Sequence, residues 1–471
     1  MMHILTRLYA ACCLLLFAGS ALAQELPLPV AAALQRAEIP LRALGVLVQE
    51  VGSSQPLLAV NPGLPFNPAS AMKLVTTNAA LDLLGPVHTW KTRAYAAGMQ
   101  DGEVLQGDMV LKGGGDPKLV LENFWLFLRQ IRATGVREIR GDLVLDRTAF
   151  EAERFDAAEF DGDPLKPYNA GPDALLLNYG ALGFRFKPDE AARTVGVALN
   201  VPAAGYAVSP PVLINGQCGD WQDKLRAEFN GVGVSFRGGF SASCGEKTWH
   251  VHPHQITQNQ YFGMVFSQLW RDLGGTISGT VKSGSLPQDA RLLVEWVSPA
   301  LPEVIRDINK FSNNVMARQV FLALSADNPA LPANPQRSAQ AVKAWLAGKG
   351  IDAPELVLEN GSGLSRRERI AAATMGRMLL AAFQSPLMPE FIASMPLAGF
   401  DGTMRKRLNG QGVAGHAHIK TGSLQEVRTL AGYVQAASGK YYAVVCLINH
   451  RNATAGQAAQ DALLQWVYEN G

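Results

Sequence analysis

The sequence predicts a mixed α/β fold in which one antiparallel sheet, flanked by helices, is interrupted by a large β-rich insertion. Three observations predict it. Hairpin patterns stand near both ends of the chain, an all-round apolar helix follows the first of them, and residues 88–289 change to short strand-like runs with few long helices.

The first hairpin is read from the apolar runs 44–51 and 56–60, separated by Gly52-Ser53-Ser54. The second comes from 429–434 and 441–448, separated by Ser438-Gly439. Both are expected in one sheet. Residues 458–468 carry Ala462, Leu463, Trp466 and Val467 at helical spacing, enough to cover one face of it.

A helix is predicted from Asn67 to Gly85, with Asn67 as N-cap, Pro68 at the first helical position and Gly85-Pro86 ending it. Met72, Leu74, Val75, Ala79, Ala80, Leu81, Leu83 and Leu84 leave little polar face, so this helix should lie inside its domain. Ser70 falls in its first turn, near unsatisfied amides and the positive end of the macrodipole.

Helical patterns return beyond Ser298, at 304–324 and 336–348. The chain therefore divides into a catalytic domain, 24–87 and 290–471, and an inserted unit, 88–289, of two subdomains. Within the insertion, 107–112 and 141–145 each read as Gly-Asp followed by an apolar strand. Two copies fall short of the three or more that a solenoid needs.

The chain has 471 residues, of which 48% are hydrophobic and 17% charged, enough to bury a large core. Its net charge of +2, without runs of like charge, gives neither a nucleic-acid footprint nor a polybasic membrane patch. Residues 1–23 read as a signal peptide. Arg7 supplies the positive end, 8–18 the apolar stretch and Ala21-Leu22-Ala23 the cleavage site, so export to the periplasm is expected. That stretch is too short to span a bilayer, and no later segment approaches the roughly 20 apolar residues of a membrane helix.

Cys12 and Cys13 lie ahead of the cleavage site. Cys218 and Cys244 are expected to form a disulfide closing a 26-residue loop, worth roughly 3 kcal/mol on the loop-entropy model. Cys446, in the apolar run 443–448, reads as a buried hydrophobe with a raised thiol pKa rather than a nucleophile.

The chemistry is read from three motifs. Ser70-Ala71-Met72-Lys73 places a hydroxyl and an amine at i and i+3 on one helix face. The amine can deprotonate serine only when neutral, which burial and nearby positive charge favour. Alone the pattern says little, since about one chance match is expected in such a chain.

Ser312-Asn313-Asn314 opens onto Val315, Met316, Ala317 and Val320 and can present a serine and an amide to a cleft from a helix start; the alternative is a plain helix cap. Lys420-Thr421-Gly422-Ser423 offers a cation and a hydroxyl for a carboxylate, with a glycine that lets backbone approach ligand.

Other patterns take simpler readings. Lys282-Ser283-Gly284 copies the third motif in form, but precedes the second, and is read as a turn. Gly113-Gly114-Gly115-Asp116 is read as a tight turn, because no Gly-Lys-Ser/Thr follows. His250, His252 and His254 alternate around Pro253 without a Cys/Asp/Glu grouping and do not read as a metal site. His416 and His418 read as strand residues.

The three motifs, in this order, match the set shared by class A β-lactamases and penicillin-binding proteins. The chain resembles the type-4, low-molecular-mass, class C penicillin-binding proteins, D-Ala-D-Ala carboxypeptidase/endopeptidases, over essentially its whole mature length. Further stretches that carry the resemblance are Gly113-Gly114-Gly115-Asp116-Pro117, Asn309-Lys310-Phe311-Ser312-Asn313-Asn314, Asn360-Gly361-Ser362-Gly363-Leu364-Ser365-Arg366 and Gly399-Phe400-Asp401-Gly402-Thr403. The 239 residues from Lys73 to Ser312 exceed what a compact β-lactamase can hold, and the resembling family carries its extra domains there.

The resemblance implies a β-lactamase/transpeptidase-like catalytic domain. It implies that Ser70 attacks the penultimate D-Ala carbonyl with Lys73 as base, while Ser312 passes the proton to the leaving amine and Asn314 bonds a substrate amide. The backbone amides of Ser70 and Ser423 would hold the oxyanion. Lys420, Thr421 and Gly422 would receive the terminal carboxylate, and Arg366 and Gln425 would line the groove. Asp163 and Tyr168 would contact the amino end of diaminopimelate. Peptidoglycan peptides and β-lactams are the implied partners, with no metal or organic cofactor. Two alternatives stand beside this: a β-lactamase or esterase with the same serine-lysine chemistry, and an inactive cell-wall binding protein.

Overall fold

The computed structural model describes residues 25–152, 155–326 and 331–471, so the expected signal peptide lies outside the described residues. The catalytic body begins with α1 (Leu28–Arg36), β1 (Leu44–Glu50), β2 (Leu58–Val60) and α2 (Met72–Leu84). It resumes with α3 (Leu301–Phe311), α4 (Asn314–Ala323), α5 (Pro335–Gly348) and α6 (Ala372–Phe383). It closes with β3 (Ala417–Leu424), β4 (Val427–Gln435), β5 (Tyr441–Asn449) and α7 (Gln457–Asn470).

The two expected hairpins do share one antiparallel sheet, in the order β3-β4-β5-β1-β2. β5 shows why its run is continuously apolar. Tyr442, Val444, Cys446 and Ile448 pack toward α1 and α7, whereas Ala443, Val445 and Leu447 pack toward the layer of α2 to α6. A strand covered on both faces has no polar alternation to show.

α2 is buried at ten consecutive positions, Met72 to Leu81, and ends at Gly85 with φ +86°, as expected. Its start differs from the expectation. Ser70 lies in a 3-10 turn, Ala69–Ala71, and the α-helix begins only at Met72. Ala69 is left-handed at φ +45°, and the Asn67 side chain caps the turn by accepting the Ala69 N–H at 2.8 Å.

The segment 304–324 is likewise two helices. Ser312, left-handed at φ +57°, ends α3, and the Asn313 side chain accepts the Met316 N–H at 3.0 Å to start α4. The Ser312 motif is thus both a loop in a cleft and a cap.

The insertion contains a seven-stranded sheet, in which Val104–Lys112 and Leu143–Asp146 pair in parallel with Met109 opposite Leu143. The two Gly-Asp strands are therefore neighbours in one sheet. Three- and four-stranded sheets around Phe184, Phe186, Phe236 and Phe240 form the rest. Cys218 and Cys244 are bonded there, with Cα atoms 4.7 Å apart. Lys282 lies not in a turn but in the strand Val281–Ser283, with Nζ 2.6 Å from Asp142 Oδ2.

The return to the catalytic body falls at 298–301 rather than at 290, because Arg291–Val297 pairs with Lys91–Asp101 in the insertion's sheet. Exit and return lie side by side. Trp90 N–H donates to Ser298 Oγ and Leu301 N–H to His88 O, both at 2.9 Å. Lys118 pairs with Asp307 at 2.7 Å, and Gln319 donates to Gly115 O and Asp173 O, fixing the insertion on α3 and α4.

Candidate active site

The 3-10 turn leaves Ser70 at the entrance of a helix buried from Met72 to Leu81, and Lys73 points back from the first turn of α2. Lys73 Nζ lies 3.1 Å from Ser70 Oγ and 2.5 Å from Asn314 Oδ1, and also donates to Ser362 O. Burial pushes the Lys73 amine well below the ordinary lysine value; Lys420 and Arg318 push the same way, and Glu368 opposes them. Burial of this kind favours the neutral form of the amine that stands beside the Ser70 hydroxyl.

Two elements from 239 and more residues away complete the first motif. The left-handed Ser312 aims its hydroxyl at β3, where Lys420 Nζ donates to Ser312 Oγ at 2.9 Å and to Thr421 O at 2.7 Å. Burial pushes Lys420 down to about 7. Gly422 is required by close approach: a Cβ there would lie 2.9 Å from Ser70 N and 2.8 Å from Pro68 O. The strand edge carrying Gly422 and Ser423 therefore passes directly against the Ser70 amide. Ser423 is exposed at that edge.

The stretch 360–366 is marked in the sequence only by the family resemblance. It supplies the Ser362 carbonyl to Lys73, and Gly363, at φ +80°, lies so near Ala69 that a Cβ would come within 1.9 Å of Ala69 O. Glu368 braces this loop, its Oε1 accepting the N–H groups of Glu359, Asn360 and Gly361 at 3.0–3.1 Å. Nothing in a Glu among arginines marks that role beforehand. Thr403 joins the site as well: its hydroxyl accepts from Thr421 Oγ1 at 2.8 Å, and in the sequence only the family-like stretch 399–403 points to it.

Arg366 and Gln425 are brought together, Arg366 Nη1 lying 3.4 Å from Gln425 O, with the guanidinium 4.8 Å over the Phe160 ring. A cavity of about 430 Å³ beside them is lined by Phe160, Asn169, Arg318, Ser365 and Arg366 among others. Asp163 and Tyr168 stand on the same inserted segment but do not line that cavity. Tyr168 donates to Asp161 Oδ2 at 2.8 Å, and Asp163 lies 3.6 Å from Lys166. Cys446 is buried, and its thiol is pushed up to about 12, as befits a core residue.

A hydroxyl beside a buried amine of lowered pKa, and a second serine tied to a second buried lysine across an antiparallel sheet edge, fit the class of serine hydrolases. The D-Ala-D-Ala carboxypeptidase 3 (S13) family model matches residues 27–470, and the chain belongs to that family. It is 30% identical over 439 residues to the D-alanyl-D-alanine carboxypeptidase of Actinomadura sp. (strain R39), covering 89% of this chain and 80% of that protein. The crystal structure of penicillin binding protein 4 from Haemophilus influenzae superposes with a TM-score of 0.77 at 23% identity, over 93% of this chain and 99% of that one. A predatory endopeptidase from Bdellovibrio bacteriovorus gives 0.53 at 16% identity, over 90% and 92%. At those identities the two structures show a shared fold.

Proposed function

We propose that the protein is a periplasmic serine D-Ala-D-Ala carboxypeptidase that also cleaves peptidoglycan cross-links, through an acyl-enzyme on Ser70. The observation that carries this is the paired geometry: Lys73 Nζ at 3.1 Å from Ser70 Oγ and Lys420 Nζ at 2.9 Å from Ser312 Oγ. Lys73 takes the Ser70 proton as Oγ attacks the carbonyl of the penultimate D-Ala. The proton returns through Ser312 to the leaving amine, and water then hydrolyses the ester. The amides of Ser70 and Ser423 face the developing oxyanion. Asn314 bonds the substrate's amide, while Lys420, Thr421 and Gly422 receive the carboxylate. Arg366 and Gln425 flank the groove, with Asp163 and Tyr168 in reserve for the diaminopimelate end.

Cross-link cleavage follows from the same chemistry, because the leaving amine of a D-Ala–diaminopimelate link also bears an α-carboxylate. A β-lactam presents an acyl carbonyl and a carboxylate in comparable relation, so penicillin is expected to acylate Ser70. Export through residues 1–23 places the enzyme with its substrate.

The test is mass spectrometry after brief penicillin exposure, followed by digestion of muropeptides. A penicilloyl adduct on the Ser70 peptide, absent in Ser70→Ala, is the expected result. An adduct elsewhere overturns the assignment, and rapid release of the adduct turns the reading toward a β-lactamase. Release of D-Ala and cleavage of cross-linked dimers report the two activities separately.

A further inference from the structure

We propose that Arg428, acting with Thr403, completes the carboxylate subsite and sets a preference for substrates whose leaving group bears a free carboxylate. This rests on the proposed placement of that carboxylate at Lys420 and Thr421.

Three observations converge. β4 runs antiparallel beside β3 with Arg428 directly opposite Ser423, and Arg428 Nη1 donates to Ser423 Oγ at 2.7 Å. Side chains of directly opposed residues share one face of a sheet, and Thr421, two residues along, shares it too. The guanidinium thus stands behind the same row of hydroxyls that is proposed to meet the substrate.

Next, Arg428 makes no ion pair among the described residues. Its neighbour Arg407 is neutralised by Asp461, with contacts of 2.6 and 3.0 Å. Arg428 has only the Ser423 hydroxyl, and its Nε is buried without a partner. The guanidinium thus combines a buried Nε that has no partner with an Nη1 end at the exposed edge beside Ser423, where an arriving anion can meet it.

Thr403 approaches from another element. The Lys310–Asp401 ion pair, at 2.6 Å, and the Leu397 N–H bond to Asp401 Oδ1, at 2.8 Å, hold the loop on which Thr403 meets Thr421. Both contacts orient donors. With Arg428 donating to Ser423 Oγ, the Ser423 hydroxyl proton is left to point toward an acceptor, and in the Thr421–Thr403 pair one proton bridges the two hydroxyls while the other remains for a ligand. Arg428 is in this sense a positioning residue that adds a positive charge behind Ser423.

The experiment compares an acyl peptide ending in D-Ala-D-Ala with the same peptide ending in D-Ala-D-Ala-amide, using wild type, Arg428→Gln, Arg428→Lys and Thr403→Val. In Arg428→Gln, kcat/KM for the free acid is expected to fall about tenfold or more, mainly through KM, while the amide changes by less than about twofold. Arg428→Lys should recover much of the preference, and Thr403→Val should show the same selective loss to a smaller degree. Equal losses on both peptides, or no loss on either, overturn the proposal; Thr403→Val decides the matter if Arg428→Gln does not fold. A wild type that fails to cleave the free acid overturns the underlying peptidase reading instead.

Discussion

The charge on Lys420 pushes the pKa of Lys73 downward. Both side chains are wholly excluded from solvent, and after burial itself the charge on Lys420 is the largest influence lowering Lys73. Two ammonium groups in one dry site oppose each other, so the site holds one proton more readily than two. The proposed mechanism needs that state: Lys73 neutral as base and Lys420 charged to meet a carboxylate.

The first prediction is a bell-shaped pH dependence. A cation whose pKa is lowered gives up its proton earlier than usual as pH rises, so Lys73 activates on the acidic limb. Lys420 loses its charge on the alkaline limb, near pH 7 in the free enzyme. A bound carboxylate favours charged Lys420 and moves that limb upward, so kcat should persist to higher pH than kcat/KM. Profiles of both constants on a D-Ala-D-Ala peptide check this, and an alkaline limb that moves downward in kcat contradicts it.

Glu368 supplies the second. Its charge raises Lys73 against the other influences, and its Oε1 gathers three backbone N–H groups. Glu368→Gln keeps an acceptor for them but removes the charge, so Lys73 should lose its proton at lower pH and the acidic limb of penicillin acylation should shift downward. Glu368→Ala leaves three backbone donors unpaired, the buried one at Gly361 costing about 1–3 kcal/mol and the part-buried two less, and should show a clear loss in thermal melting. A Gln variant with an unmoved limb would separate Glu368 from the chemistry.

Glu368 also marks where sequence stops informing. The hairpins and α7 were legible because their strands and turns follow local composition, and α2 because all its faces are apolar. The 3-10 start was not, since Asn67 and Pro68 suit an α-helix equally well; the left-handed Ala69 lies close against Gly363, 294 residues away. Ser312 breaks 304–324 without a glycine to announce the left-handed bend. Glu368 gains its meaning from a loop that it organises. Arg428 was closer to reach: extending the last strands to a tight turn at Gln425-Glu426 puts it opposite Ser423, but the apolar pattern draws the strand start to Thr429.

The third prediction uses Gly363. In Gly363→Ala the new Cβ would meet Ala69 O at 1.9 Å and Ser70 N at 2.8 Å, all backbone, at φ +80° where an L residue is already strained. The turn bearing Ser70 must shift, and misplacing a nucleophile by about 1 Å can lower a rate about 100-fold. Gly410→Ala is the control, because it has a similar φ of +74° and nothing within 4 Å of the added carbon. Acylation kinetics should collapse in the first and hold in the second, both variants remaining folded by circular dichroism.

The fourth concerns Cys218–Cys244. The bond closes a 26-residue separation inside the insertion, with Cys244 in the aromatic core that contains Phe184, Phe186, Phe236 and Phe240. None of the residues around Ser70 comes from that loop. Replacing both cysteines by alanine should destabilise the insertion by about 3 kcal/mol, mostly through the freer unfolded loop. Penicillin acylation at Ser70 should keep its wild-type rate below the melting transition. Thiol labelling adds a second measure, because Cys446 is buried between β5 and α7 and should react only on unfolding of the catalytic body. If the insertion is the weaker unit, calorimetry of the double variant shows an early transition during which Cys446 remains protected. Acylation lost together with that transition would mean instead that the catalytic body depends on the insertion through the Lys118–Asp307 and Gln319 contacts.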